Sequence, residues 1–208
     1  VKNKNPRCDN FWTPLHLAAK GSHLKICKLI LKHISDKNPR DERGKFLIIE
    51  NVKDTNPGSK KLVTPLHIAA QNGHLSICEL IIKHVSDQNP GDEDGTTPLH
   101  MAVNEGHFDI CQLLLQNIKK RNPKDNKGST PLHLAAMDSK FQIFELIAKG
   151  VKNLNPGDDN FWTPLHHAAE GNHWNICQLI LKHISDKNPR DNTGLTPLHI
   201  AARLGHVS

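Results

Sequence analysis

The chain has 208 residues, with 27 Lys and Arg against 21 Asp and Glu, a formal net charge of +6 and 15 histidines. Hydrophobic residues make up 37% and aromatics 4%, with no Tyr, which argues against one deep core and suits a thin, elongated one. No apolar run approaches the roughly 18 residues of a membrane span, and no signal-peptide pattern opens the chain.

From the N-terminus, the first legible element follows "DNFWTPLH" at 9–16. Thr13 is a good N-cap, and Pro14 suits the first helical position, where its missing N–H costs nothing. Leu15, Ala18 and Ala19 then place apolar groups at i, i+3 and i+4, and the two alanines allow close approach of a neighbouring helix. A second helix is predicted in "HLKICKLILKHIS" (23–35), with Ile26, Leu29, Ile30 and Ile34 on one face. It must stop near Asn38-Pro39, because the residue before proline is pushed out of the helical region. The polar stretch that follows reads as a turn or hairpin.

The same unit then recurs. Thr-Pro-Leu-His begins at Thr13, Thr64, Thr97, Thr130, Thr163 and Thr196, and Asn-Pro has its proline at 6, 39, 57, 90, 123, 156 and 189. One period of 33 residues explains both ladders, except that the unit starting at Pro39 spans only 18. Gly73, Gly106 and Gly205 are suited to ending the first helix in a left-handed conformation. In the short unit, "KFLIIENVKDTNP" (45–57) aligns with "CKLILKHISDKNP" (27–39), so Leu47, Ile48 and Val52 fall on Leu29, Ile30 and Ile34. This reading keeps the loop and second helix, removes the first helix, and predicts a cleft or a change of curvature there. A short strand at 46–49 is the competing reading. Residues 1–44 and 151–194 agree at 33 of 44 positions, as copying would produce.

The units resemble the ankyrin repeat. "DEDGTTPLHMAVNEGHFDICQLLLQ" (92–116) and "DNTGLTPLHIAARLGH" (191–206) follow the family's D-x-x-G-x-T-P-L-H-x-A-A-x-x-G-H pattern. The resemblance implies an all-α solenoid of stacked antiparallel helix pairs, with projecting hairpin loops and a concave face that binds other proteins. It covers 1–208 as a single ankyrin-repeat domain, with units at 6–38, 39–56 (shortened), 57–89, 90–122, 123–155, 156–188 and 189–208 (incomplete). The chain starts at Val1 and stops at "GHVS", which reads as a segment of something longer.

The histidines invite a catalytic or metal reading. His16, His67, His100, His133, His166 and His199 belong to the Thr-Pro-Leu-His runs, and Thr followed three residues later by His has the spacing of a capping box. Structural roles are expected for all of them. His23/Cys27, His74/Cys78, His107/Cys111 and His173/Cys177 share a helix face at i, i+4. Each helix offers only two ligands where zinc takes three or four, and Phe144 stands at the cysteine position of another unit, so no metal is expected. Equivalent cysteines in stacked repeats lie about 10 Å apart, too far for disulfides, which favours thiols and a reducing compartment, cytoplasmic or nuclear. Neither a catalytic triad nor a phosphate loop is readable, so no enzyme and no cofactor are expected.

Comparing columns separates frame from surface. The position after Gly-His holds Leu24, Leu75, Phe108, Phe141, Trp174 and Val207, always apolar, which places Trp174 inside. The position before Thr holds Trp12, Val63, Thr96, Ser129, Trp162 and Leu195, and the resemblance puts it on the hairpin facing the concave side. Trp12 and Trp162 then read as exposed aromatic anchors, the type enriched at hot spots. The alternative folds each indole over a proline or a neighbouring loop. Phe11 and Phe161 replace Gly95, Gly128 and Gly194, which suggests an altered turn with Asn10 or Asn160 as the tolerant residue. The column after Ala-Ala holds Lys20, Gln71, Asn104, Met137, Glu170 and Arg203, and the loops add Asp9, Lys60, Lys61, Glu93, Asp94, Lys127 and Asp159. The predicted partner-binding set is Trp12, Lys20, Lys60, Lys61, Val63, Gln71, Glu93, Asp94, Asn104, Met137, Trp162 and Glu170.

Charge is banded. Residues 1–84 are strongly basic, 85–117 hold six acidic residues and no Lys or Arg, and 118–150 are basic again. The leading expectation is a monomeric, non-catalytic scaffold for a protein or peptide. Its alternatives are nucleic-acid or other polyanion binding by the basic N-terminal third, and the cytosolic part of a larger enzyme or channel. Against nucleic acid, the basic residues are dispersed and stacking aromatics are scarce.

Overall fold

The computed structural model describes residues 12–34 and 62–206. The shortened unit at 39–56, with its predicted cleft, lies outside the described residues, as do Asp9, Asn10, Phe11, Lys60, Lys61 and Val207. Eleven helices occur among the described residues: α1 (Pro14–Lys20), α2 (Leu24–His33), α3 (Pro65–Gln71), α4 (Leu75–Ile82), α5 (Pro98–Glu105), α6 (Phe108–Asn117), α7 (Pro131–Met137), α8 (Phe141–Ala148), α9 (Pro164–Glu170), α10 (Trp174–His183) and α11 (Pro197–Leu204). They alternate between a short first helix and a second helix, and no strand occurs among the described residues.

Local chemistry sets each boundary. Every first helix opens at a Thr in extended conformation with proline next, and α1, α3, α5, α7 and α9 carry a full capping box to the His at the third helical position. Each first helix then leaves through a left-handed residue: Gly73, Gly106 and Gly205, as the sequence predicts, but Ser22, Ser139 and Asn172 in the other units. Small polar side chains tolerate that region by bonding locally.

The Asn of each Asn-Pro does more than sit beside a helix-ending proline. Asn89, Asn122 and Asn155 accept, through Oδ1, the backbone N–H of Leu99, Leu132 and Leu165 at 3.0, 3.1 and 2.9 Å. Each thereby satisfies one of the orphan donors of a first-helix N-terminus.

The core is a continuous strip. Leu15, Leu66, Leu99 and Leu132 from the first helices are fully buried, as are Cys27, Cys78, Cys111 and Phe144 from the second. Successive first helices contact one another more extensively than successive second helices do. The alanine pairs explain this: Ala69, Ala102, Ala135, Ala136 and Ala168 are buried where the backbones approach.

Trp174 departs from expectation, being 53% exposed rather than inside. It opens α10, and Leu24, Leu75 and Phe141 at the same position are only half-buried, so this column lies at the rim of the second-helix layer. A large indole there leaves its surplus outside.

Candidate protein-binding face

The hairpins between helix pairs are built on one aspartate each. Asp92 Oδ1 accepts the N–H of Asp94 and of Thr96, and Asp125, Asp158 and Asp191 repeat the arrangement. Burial pushes the Asp92 carboxyl up from its ordinary value. Desolvation would raise Asp191 too, but hydrogen bonds from Thr193, Trp162 and Leu195 outweigh it and hold the carboxyl at about 2. Successive hairpins are joined backbone to backbone: Asn126 N–H to Asp94 O at 2.9 Å, Asp159 N–H to Lys127 O at 3.0 Å, and Asn192 N–H to Asn160 O at 3.0 Å.

At the left-handed hairpin position Gly95, Gly128 and Gly194 have φ of 73°, 77° and 81°, and Phe161 takes it with φ 58°. The expectation that Asn160 would absorb the irregular turn is therefore corrected. The Asp158 carboxylate, bonded to the N–H groups of both Asn160 and Trp162, fixes the loop so that the bulky residue itself must be left-handed. Phe161 remains 60% exposed.

The Thr-Pro-Leu-His histidines join neighbouring units. Nδ1 of His67, His100 and His133 accepts the N–H of Thr64, Thr97 and Thr130, so the proton resides on Nε2. Nε2 then donates to the hairpin carbonyl of the next unit: His16 to Val63, His67 to Thr96, His100 to Ser129, His133 to Trp162 and His166 to Leu195, at 3.0–3.4 Å. Burial pushes His100 and His133 down to about 4, and lowers His166. The second histidine column also makes joints. His74, His107 and His206 donate to carbonyls of Lys20, Gln71 and Glu170 in the preceding first helix, and Lys140 does the same to Asn104. The cysteines four residues beyond His74, His107 and His173 carry free thiols raised by burial, Cys78 and Cys111 to about 12 and Cys177 to about 11. Among the described residues no group of three or more His, Cys, Asp or Glu could hold a metal ion.

Both indoles are half-buried rather than fully exposed. Trp12 stacks on His16 with ring centroids 6.1 Å apart, and Lys20 Nζ lies 5.2 Å from the Trp12 centroid, so the structure brings these two candidates together. Trp162 leans over the neighbouring loop: its Nε1–H donates to Asp191 Oδ2 at 2.9 Å. Its ring stacks on His166 at 5.6 Å and meets His167 edge-on at 5.1 Å. Val63 is half-buried, while Gln71, Glu93, Asp94, Asn104, Met137 and Glu170 are exposed along the hairpins and first helices.

One residue went unnoticed in the columns. After Thr-Pro-Leu-His come Leu17, Ile68, Met101, Leu134 and Ile200, but His167 in one unit. That single polar exception was the available signal. His167 is half-buried, its Nδ1 has no hydrogen-bond partner, and burial lowers its pKa. It borders a cavity of about 300 Å³ between the hairpins at 125–129 and 158–162, lined also by Ser129, His133, Met137 and Asp158.

No helix among the described residues is long and apolar enough to cross a membrane. A search of curated proteins finds no match. The family model described as ankyrin repeats in three copies matches residues 42–125, 66–156, 116–191 and 146–208, and the single ankyrin repeat model matches 10–42. With matches running along nearly its whole length and helix pairs stacked as that repeat requires, the chain belongs to the ankyrin repeat family, whose repeats generally act as protein–protein interaction modules.

Proposed function

We propose that this chain is a non-catalytic scaffold that holds a protein or peptide partner against the face formed by its hairpins and first helices. The carrying observation is the contrast between an invariant frame and a varied exposed surface. Leu, Ala and the capping Thr and His recur at buried positions, while Lys20, Gln71, Asn104, Met137, Glu170 and Arg203, equivalent in the repeat, are all exposed and all different. Glu93, Asp94, Lys127 and Asp159 extend the varied set onto the hairpins. Close packing of the first helices supports placing this face on the inner side of the stack, where side chains from several units converge on one ligand.

The test is capture of a partner from cell lysate at two salt concentrations. The wild-type chain is compared with Lys20→Glu/Met137→Asp/Glu170→Lys, after circular dichroism shows equal helicity. These positions test the face better than the indoles, because truncating Trp162 also removes its bond to Asp191. A protein retained by the wild type at both salts and lost by the variant is the expected result. Equal capture by both sinks the proposed face. Recovery of nucleic acid instead, lost steeply with added salt, would favour polyanion binding by the basic 1–84 stretch.

A further inference from the structure

The repeat contains its own template for what fills the cavity beside Ser129. One period further along, Ser129 corresponds to Trp162, His133 to His166, Leu134 to His167 and Asp158 to Asp191. In that next gap the Trp162 indole occupies the space between the hairpins, stacks on His166 and donates Nε1–H to Asp191 Oδ2. In the gap at Ser129 the side chain in the Trp column is a hydroxymethyl group, and the space stands open as the cavity of about 300 Å³. The groups that would receive an indole remain. His133 borders the space, 1% exposed and met edge-on at 6.0 Å by the His167 ring, and Asp158 uses Oδ1 for its own hairpin, with no donor from the described residues on Oδ2. The exposed thioether of Met137 and the edge of His167 complete an apolar and aromatic wall.

We infer that this cavity is a socket for a tryptophan side chain of the bound partner, packed against His167 and Met137 with its indole N–H donated to Asp158 Oδ2. The inference rests on the proposed interaction face and names the side chain that this part of the face selects. Selectivity has two sources. The His167 imidazole and the Met137 thioether favour a flat aromatic group. The carboxylate rewards a donor, so a phenyl ring of similar breadth leaves Asp158 without its hydrogen bond.

The experiment uses the full chain labelled with nitrogen-15 and N-acetyl-tryptophanamide as probe, with N-acetyl-phenylalaninamide and N-acetyl-argininamide for comparison. The expected result is saturable shifts of the Ser129, Met137 and Asp158 amide signals by the tryptophan amide, with the phenylalanine amide about tenfold weaker. Ser129→Trp fills the socket from within; it should abolish the shifts and melt no lower than wild type. No saturable shift, equal or tighter binding of either comparison amide, or a melting point several degrees lower in Ser129→Trp would each overturn the socket. A partner protein captured equally by wild type and Ser129→Trp would also remove the socket, yet leave the interaction face standing; loss of capture in Lys20→Glu/Glu170→Lys, which leaves the socket intact, tests that face separately.

Discussion

Phe161 holds a backbone conformation that glycine takes in its three described counterparts. A left-handed residue with a Cβ costs about 1–2 kcal/mol, and glycine gives back about 0.5–1 kcal/mol in chain entropy. Phe161→Gly is therefore expected to raise the free energy of unfolding by about 0.5–1 kcal/mol in urea titration. A loss of stability would mean that the exposed ring packs usefully against its hairpin. Acid provides a second residue-scale test. His100 and His133 stay neutral in the fold down to about 4, whereas an unfolded histidine titrates near 6.5. Above about 6.5 both states are neutral and these groups leave stability unchanged. Between about 6.5 and 4 the unfolded chain takes up protons that the folded chain refuses, so stability falls with pH, by about 3 kcal/mol per histidine over the full window. Urea unfolding at pH 7 and pH 4.5 reads this directly, and a flat profile would contradict burial of these imidazoles in the neutral form.

At the scale of one helix pair, the Asn-Pro ladder carries the clearest prediction. Asn122→Ala should cost about 1–3 kcal/mol, because the Leu132 N–H loses its acceptor, while Asn122→Asp keeps an oxygen there and should cost less. Asn188, 3.4 Å from the Leu198 N–H, should matter less than Asn122. Thermal melts of the three variants would rank them. Much of this element was legible in advance. The capping Thr, the proline after it, the paired alanines and the i, i+4 histidine pattern follow from helix chemistry read along one chain. The Asn oxygen was not legible, because its bond spans ten residues and the proline alone seemed to account for the dipeptide. Trp174, Phe161 and His167 were misread or missed for another reason. A column shows which side chains are tolerated, not how much of each is covered or which backbone carries an unusual turn. The half-burial of Trp162 depended on Asp191, a partner 29 residues away.

Across the whole molecule, burial of equivalent side chains ties the units into one strip. Phe144→Ala, at a site with no exposure, should cost about 3–5 kcal/mol. The thiols report on opening of the same strip. Cys27, Cys78 and Cys111 are buried and Cys177 half-buried, so a thiol reagent followed by mass spectrometry should modify Cys177 first among these four. Simultaneous modification of the other three would show that the stack opens as one, and a staggered order that it opens unit by unit. The bonds between hairpins, from Asn126 to Asp94, Asp159 to Lys127 and Asn192 to Asn160, run through backbone atoms alone. Spacing along the proposed face thus rests on atoms that every residue except proline supplies. Exposed residues such as Asp94 and Lys127, which lend only a backbone carbonyl to the joint, can therefore vary while the hairpins keep their register, so side-chain identity and spacing are separable features of this sequence.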